Sequence, residues 1–148
     1  MTITARPDYA GDIGSRDAWD MMKTEPGAQL VDVRTKAEWT FVGLPDLGAL
    51  GRQVLCLEWQ AFPEMAVDPN FVAKTADQLA RAGADKDTPV LFLCRSGARS
   101  AAAARAMTAA GFTRAYNVSD GFEGEMDDQR HRGNRNGWKA SGLPWRQS

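Results

Sequence analysis

The chain is short of several things, and each shortage excludes something. Only two cysteines, Cys56 and Cys94, stand in 148 residues. Two cannot build a disulfide framework, and their spacing is no C-x-x-C pair, so neither a stapled secreted scaffold nor a vicinal dithiol is indicated. One histidine, His131, lies between Arg130 and Arg132 in a charged, glycine-rich stretch. With no cysteine or carboxylate cluster beside it, no metal site is expected, and His131 reads as exposed. No apolar run approaches the ~20 residues that cross a bilayer. The opening MTITARPDYAGDIG has no apolar signal core and carries Asp8 and Asp12 early. The expectation is a cytoplasmic protein with reduced thiols and no membrane partner. An excess of one charge is missing too. The 18 basic and 19 acidic residues leave a formal net charge of −1, which gives no general attraction for nucleic acid. Any anion affinity has to be local.

What is present suits one globular domain over 1–148. The chain is 43% hydrophobic and 25% charged, long enough to bury a core without staples. No linker, repeat or low-complexity tract divides it. Strand and helix signals alternate. A short edge strand is expected at 11–13, then a helix with Ser15 as N-cap, ended by Pro26 and Gly27. The apolar, β-branched run 28–34 reads as a buried strand. Thr35 caps a short helix, and 53–59 alternates like a strand. Asp68 as cap, Pro69 at the first helical position and Gly83 as stop frame the next helix. The run 89–94 is the most continuous apolar strand. A strong helix former follows from Ala98 to the stop at Gly111, and 114–119 is the last strand. The residues beyond it, an extended loop over 121–137 and a tail over 138–148, read mostly as loop. Such alternation predicts an α/β domain with a mainly parallel sheet, whose ligands sit beyond the carboxyl ends of the strands.

Run 89–94 delivers Cys94 to that edge, followed by Arg95, Ser96, Gly97, Ala98, Arg99 and Ser100. A strand-to-helix loop of this kind leaves the first helical amides without partners. If the loop curls, further N–H groups point inward and form an anion nest. Gly97 permits the tight turn. The helix dipole and two arginines add positive charge. A thiol placed in that cup favours its thiolate. The plain alternative is a small core cysteine. Two arginines and a glycine in the turn weigh against it.

Four residues separate Cys94 from Arg99, the pattern C-x4-R. Cysteine phosphatases use the wider C-x5-R, and here the next position is Ser100. This loop resembles the active loop of the rhodanese family of sulfurtransferases. LVDVRTKAEW resembles that family's early D-x-R signature. AYNVSDGFEG is similar to its N-(V/L)-x-G-G element, with Asp120 in place of the first glycine, and GWKASGLPW is similar to its C-terminal ending. The resemblance implies a three-layer domain with a central, mainly parallel five-stranded sheet and helices on both faces. It implies that Cys94 attacks a sulfane sulfur of thiosulfate or a related donor and carries it as a persulfide. The amides from Arg95 to Ser100 would hold that persulfide until a thiol or cyanide takes the sulfur. No cofactor is implied. The partners would be a small sulfur donor and acceptor, or a protein sulfur acceptor. A sulfur carrier or binding module acting with a protein partner is the alternative; cysteine phosphatase or arsenate reductase chemistry is less favoured.

By the same resemblance Asp32 supports the active loop and Arg34 pairs with Glu38; a purely structural ion pair is the other reading. Cys56 is expected in the core, with a resolving role as the alternative. Trp59 and Phe62 are expected to pack, or to line the pocket mouth. The stretch RHRGNRNG is either a basic lip over the site or a solvated surface loop. Asp120 is expected to change the shape of the loop after the last strand. Trp138 and Trp145 are expected to pin the tail to the body.

Overall fold

The computed structural model describes residues 1–147; Ser148, the last residue of the expected tail, lies outside them. The strands are β1 (Ile3–Thr4), β2 (Gly11–Ile13), β3 (Gln29–Asp32), β4 (Leu44–Pro45), β5 (Leu55–Cys56), β6 (Gln60–Ala61), β7 (Ala66–Val67), β8 (Val90–Leu93), β9 (Ala115–Val118) and β10 (Trp145–Arg146). The helices are α1 (Ser15–Thr24), α2 (Lys36–Phe41), α3 (Phe71–Arg81) and α4 (Ala98–Ala109). One sheet runs in the order β1-β2-β9-β8-β3-β5. Its five strands expected from sequence all pair in parallel. A sixth, β1, adds antiparallel to β2 with Ile3 opposite Ile13. The sheet therefore has six strands rather than five, because a two-residue pairing is too short to leave a periodic signal.

The continuous apolar runs arise because β3 and β8 are covered on both faces. Val31, Val90 and Phe92 point toward α3 and α4, where they meet Phe71, Leu79, Ala103, Ala104 and Met107. Leu30, Leu91 and Leu93 alternate to the other face and meet Ala18, Met21 and Met22 of α1, with Trp138 and Leu143 of the C-terminal segment. Each such fully buried Leu, Phe or Met contributes about 1.5–3 kcal/mol. The alanines of α4 let that helix lie close against β8 and β9. Cys94 follows Leu93 onto the α4 side.

Several local expectations shift for identifiable reasons. Strand 53–59 shrinks to Leu55–Cys56, but the N–H groups of Leu57 and Trp59 still donate to Asp32 and Val33 (3.0 and 3.1 Å). Leu55 and Leu57 pack on the core. Alternation then turns Cys56 outward, so it is exposed at the sheet edge rather than buried. Ser15 is the first residue of α1, not its cap. Its N–H and hydroxyl both donate to Asp120 Oδ1 (3.0 and 2.8 Å), so a residue 105 positions away satisfies the helix start. Asp68 and Pro69 precede α3, whose N-cap position is Asn70. The Asp68 carboxylate instead accepts the Asn70 N–H and the Lys74 ammonium, both at 2.8 Å. Thr35 does cap α2, in a reciprocal box with Glu38. In the C-terminal segment Trp138 is fully buried, donates to Pro144 O at 2.7 Å and meets Trp19 edge to face. Trp145 and Arg146 pair with β4. Among the described residues no helix is long and apolar enough to cross a membrane.

Beyond the carboxyl end of β3, Arg34 and Asp32 form an ion pair with both side chains at 0% exposure. Arg34 Nε and Nη2 donate to the carboxylate at 3.0 and 2.6 Å, and Nη2 also donates to Gly43 O at 2.8 Å. The guanidinium lies over the Phe122 ring at 4.3 Å. Arg34 thus pairs with Asp32 and not with Glu38, whose carboxylate closes the capping box with Thr35 and pairs with Arg99. Removing one partner strands a buried charge. Arg34→Met is expected to lower the unfolding free energy by about 3–5 kcal/mol in urea denaturation, and the apolar pair Asp32→Leu/Arg34→Met to recover most of it.

Candidate active site

Strand β8, the loop 94–97 and helix α4 build the site. The carbonyls of Cys94 and Arg95 are pulled outward by the turn after β9: Phe122 N–H donates to Cys94 O at 2.8 Å, and Glu123 and Gly124 N–H donate to Arg95 O at 3.1 Å. With the carbonyls tied back, the amides face the other way. Among the described residues, the N–H groups of Arg95, Ser96, Ala98, Arg99 and Ser100 have no protein acceptor. Gly97 takes φ +112°, and its N–H donates to Cys94 Sγ at 3.1 Å. A Cβ there would stand 2.5 Å from Ser119 O. A Cβ on Gly121 would collide with the Arg95 carbonyl. The amide cup therefore depends on two glycines, one in each partner of the tie.

A cavity of about 320 Å³ opens above Cys94. Its lining brings together Cys94, Arg95, Ser96, Ala98 and Arg99 of the expected loop. Gly97 and Ser100 lie buried behind it, and Asp32 and Arg34 do not reach it. Arg34 meets the loop through Phe122, whose N–H holds the Cys94 carbonyl. Three lining residues come from elsewhere: Glu38 of α2, and Gln60 and Met65 of the hairpin formed by β6 and β7. Trp59, just before that hairpin, packs edge to face on Phe71 at 4.9 Å, while Phe62 is 72% exposed at its turn. No residue of 121–137 lines the cavity. That segment is a surface loop in which the Asp127 carboxylate collects the Gln129 and His131 amides and the Asn134 side chain, with His131 exposed. Asp120 ties its far end by accepting the Gly137 N–H at 3.2 Å. Among the described residues no group of three or more metal-ligating side chains occurs.

Arg99 and Glu38 meet as two parallel hydrogen bonds, Nη1 to Oε1 at 2.6 Å and Nη2 to Oε2 at 3.0 Å. Burial pushes the Glu38 carboxyl up, but the Arg99 hydrogen bonds and charge hold it below its ordinary value. The same partner raises Arg99. Both groups stay ionised at neutral pH. Arg95 is exposed and carries no ion pair among the described residues. Cys56 lies opposite Asp32 in the register and lines a separate cavity beside Trp39. Desolvation on its protein side, and then the Asp32 carboxylate, push that thiol up to about 12, so it keeps its proton.

A buried polar chain runs away from Cys94. Its Sγ is 3.1 Å from Ser100 Oγ. Ser100 Oγ donates to Asn117 Oδ1 at 2.6 Å, and Asn117 Nδ2 donates to Asp12 Oδ1 at 3.0 Å. Tyr9 and Arg6 also donate to Asp12, at 2.7 and 2.6 Å. Burial pushes the Asp12 carboxyl up, and these hydrogen bonds pull it down further. The ionised carboxylate fixes the Asn117 amide with its oxygen toward Ser100. Ser100 has one proton, and Asn117 takes it. With that proton engaged, a Cys94 that carries its own proton is left as the donor to Ser100. Gln60, Met65, Asn117 and Asp12 are the members of the site that sequence reading missed, although Asn117 lies within the quoted AYNVSDG; Glu38, within LVDVRTKAEW, is expected from sequence only as the partner of Arg34 and instead pairs with Arg99.

Fold and site define a parallel α/β domain with a cysteine in an amide cup at the carboxyl edge of its sheet. The chain belongs to the STR4 middle-domain family, a rhodanese-like family whose model matches residues 11–148. It is similar to the crystal structure of Rv0390 from M. tuberculosis, with 51% identity over 95% of this chain and 99% of that one and a TM-score of 0.85. A Rickettsia conorii protein, RC0915, is 39% identical over 133 residues, 90% of this chain and 94% of its own length. Rhodanese-like domain-containing protein 4 of Arabidopsis thaliana is 25% identical over 98% of this chain, which spans 28% of the plant protein. The fold alone is shared with a polysulfide-sulfur transferase homodimer from Wolinella succinogenes, at 24% identity and a TM-score of 0.61 over 97% of this chain and 82% of that one.

The proton count at Ser100 makes a signed prediction. Asn117→Ala frees the Ser100 proton to turn to Cys94 Sγ, and alkylation of Cys94 by iodoacetamide at neutral pH is expected to accelerate roughly tenfold, the worth of one hydrogen bond to a charged group. In that background Ser100→Ala slows the reaction, whereas in the wild type it does not. A slowing in the wild type would contradict the assignment of donors.

Proposed function

We propose that this protein is a sulfurtransferase that carries sulfane sulfur as a persulfide on Cys94. One observation carries the reading: a nucleophilic sulfur at the floor of a cup of unpartnered amides at a helix N-terminus. The step needs little more. The Cys94 thiolate forms a bond to the outer sulfur of a donor such as thiosulfate. The donor's S–S bond breaks, and its electron pair leaves on sulfite. The charged outer sulfur of the persulfide then stands where the amides of Arg95 to Ser100 converge. Cyanide or a thiolate attacks that sulfur and returns Cys94 as thiolate. The thiol proton is lost to solvent before attack; from the thiolate onward no proton moves in either step, so the sulfur transfer itself requires no general base.

Phosphoryl transfer is disfavoured on two counts. The loop is one residue shorter than the phosphatase cradle, and the guanidinium that would clamp a phosphate is already held by Glu38. Family membership supports sulfur transfer at the level of the class; thiosulfate as donor is part of the proposal.

Cys94→Ser is expected to abolish transfer from thiosulfate to cyanide, at least a thousandfold below wild type, since the nucleophile itself is lost. Cys56→Ser is expected to stay within about twofold, because its thiol is protonated and lies outside the cavity. Wild-type kinetics with both substrates varied should give parallel double-reciprocal lines. Intersecting lines, or turnover of a phenyl phosphate in place of thiosulfate, would overturn the reading.

A further inference from the structure

The cavity carries less positive charge than its arginines suggest. Arg99 and Glu38 cancel, each holding both outer atoms of the other. The pair is partly shielded, with 17% and 20% of the two side chains exposed, so solvent screens it only in part. Arg95 is the remaining cation of the lining, and the Cys94 thiolate offsets it during attack. Asp32 and Arg34 neutralise each other out of reach at 0% exposure. Gln60 and Met65 complete the wall without charge. A donor bearing two negative charges would enter a site with one unpaired cation and a fixed carboxylate at its rim.

We propose that Glu38 is a specificity-determining residue: by occupying the Arg99 fork and placing its carboxylate on the cavity wall, it matches the site to monoanionic sulfane donors, such as organic persulfides and thiosulfonates, and against dianions such as thiosulfate. The inference rests on the sulfur-transfer reading above and refines it. Thiosulfate still reacts at Cys94, but less well than its chemistry allows. The helix needs no carboxylate at this position, because glutamine completes the capping box equally well. The charge is therefore not needed for the cap; it serves the pair with Arg99 and the cavity wall.

Two donors isolate that charge. Methanethiosulfonate anion differs from thiosulfate by a methyl group in place of one oxyanion, and both present the same outer sulfur. With either, the Cys94 thiolate takes that sulfur and the electron pair leaves on the sulfur-oxygen fragment, methanesulfinate or sulfite. Their intrinsic reactivities differ, so the informative quantity is the change between variants. Glu38→Gln is expected to raise the ratio of kcat/KM for thiosulfate over methanethiosulfonate by roughly five- to tenfold, the scale of one partly screened charge near the donor. Glu38→Asp keeps the charge and should leave the ratio within about twofold of wild type. On the wild type alone, methanesulfonate should inhibit at concentrations no higher than sulfate does, which keeps the test open if a variant fails to fold. With sulfur loading on Cys94 intact, an unchanged ratio in Glu38→Gln, or inhibition by sulfate far stronger than by methanesulfonate, overturns this proposal alone. If neither donor leaves sulfur on Cys94, the transfer reading itself fails and this one falls with it.

Discussion

The site depends on one backbone tie. The turn after β9 donates the N–H groups of Phe122, Glu123 and Gly124 to the carbonyls of Cys94 and Arg95. A loop that wraps an anion must aim its amides inward, and its carbonyls then need donors outside. That constraint explains features that look separate in the sequence. Gly97 and Gly121 are glycines because the two loops approach too closely for a Cβ. Phe122 lies under the Arg34 guanidinium, so the buried Asp32–Arg34 pair steadies the residue that holds Cys94. Asp120, standing where the rhodanese-like pattern has glycine, ties the same turn to the start of α1 and to Gly137. The departure is a clamp, and the long 121–137 segment is held away from the cavity.

Electrostatics at the site are local and nearly balanced, in keeping with the overall charge. Arg99 is spent on Glu38, Arg34 on Asp32, and Arg6 on Asp12. What remains for an anionic sulfur is a set of amides and one exposed arginine. Amide dipoles fixed by the fold need no reorganisation when charge arrives. In the proposed reaction they would hold a charged persulfide sulfur without adding a net charge that attracts dianions.

Much of this was legible in the sequence where the physics is short-range or repetitive. β3 and β8 announce themselves because burial on both faces favours apolar runs. The strand–C-R-S-G-A-R–helix order marks the cup because Gly97 and the unpaired helical amides act within a few residues. Cys56 misled, since its strand is an edge whose alternation turns it outward between Leu55 and Leu57. Ser15 misled because its hydroxyl serves Asp120 rather than its own helix. The pairing of Arg99 with Glu38 spans 61 positions, and the Ser100–Asn117–Asp12 chain spans more. Nothing local in a sequence tells an arginine which of 19 carboxylates will claim it. The hairpin that brings Gln60 and Met65 to the cavity lies in WQAFPEMAVDP, which has no strand periodicity to reveal it.

The central claim is that Cys94 holds a transferable sulfur. Intact mass of the protein after thiosulfate treatment tests it most directly, with peptide mapping to place the added atom. The account predicts a gain of one sulfur atom on Cys94 that a brief exposure to cyanide removes. No gain, or a sulfur found on Cys56, would contradict it.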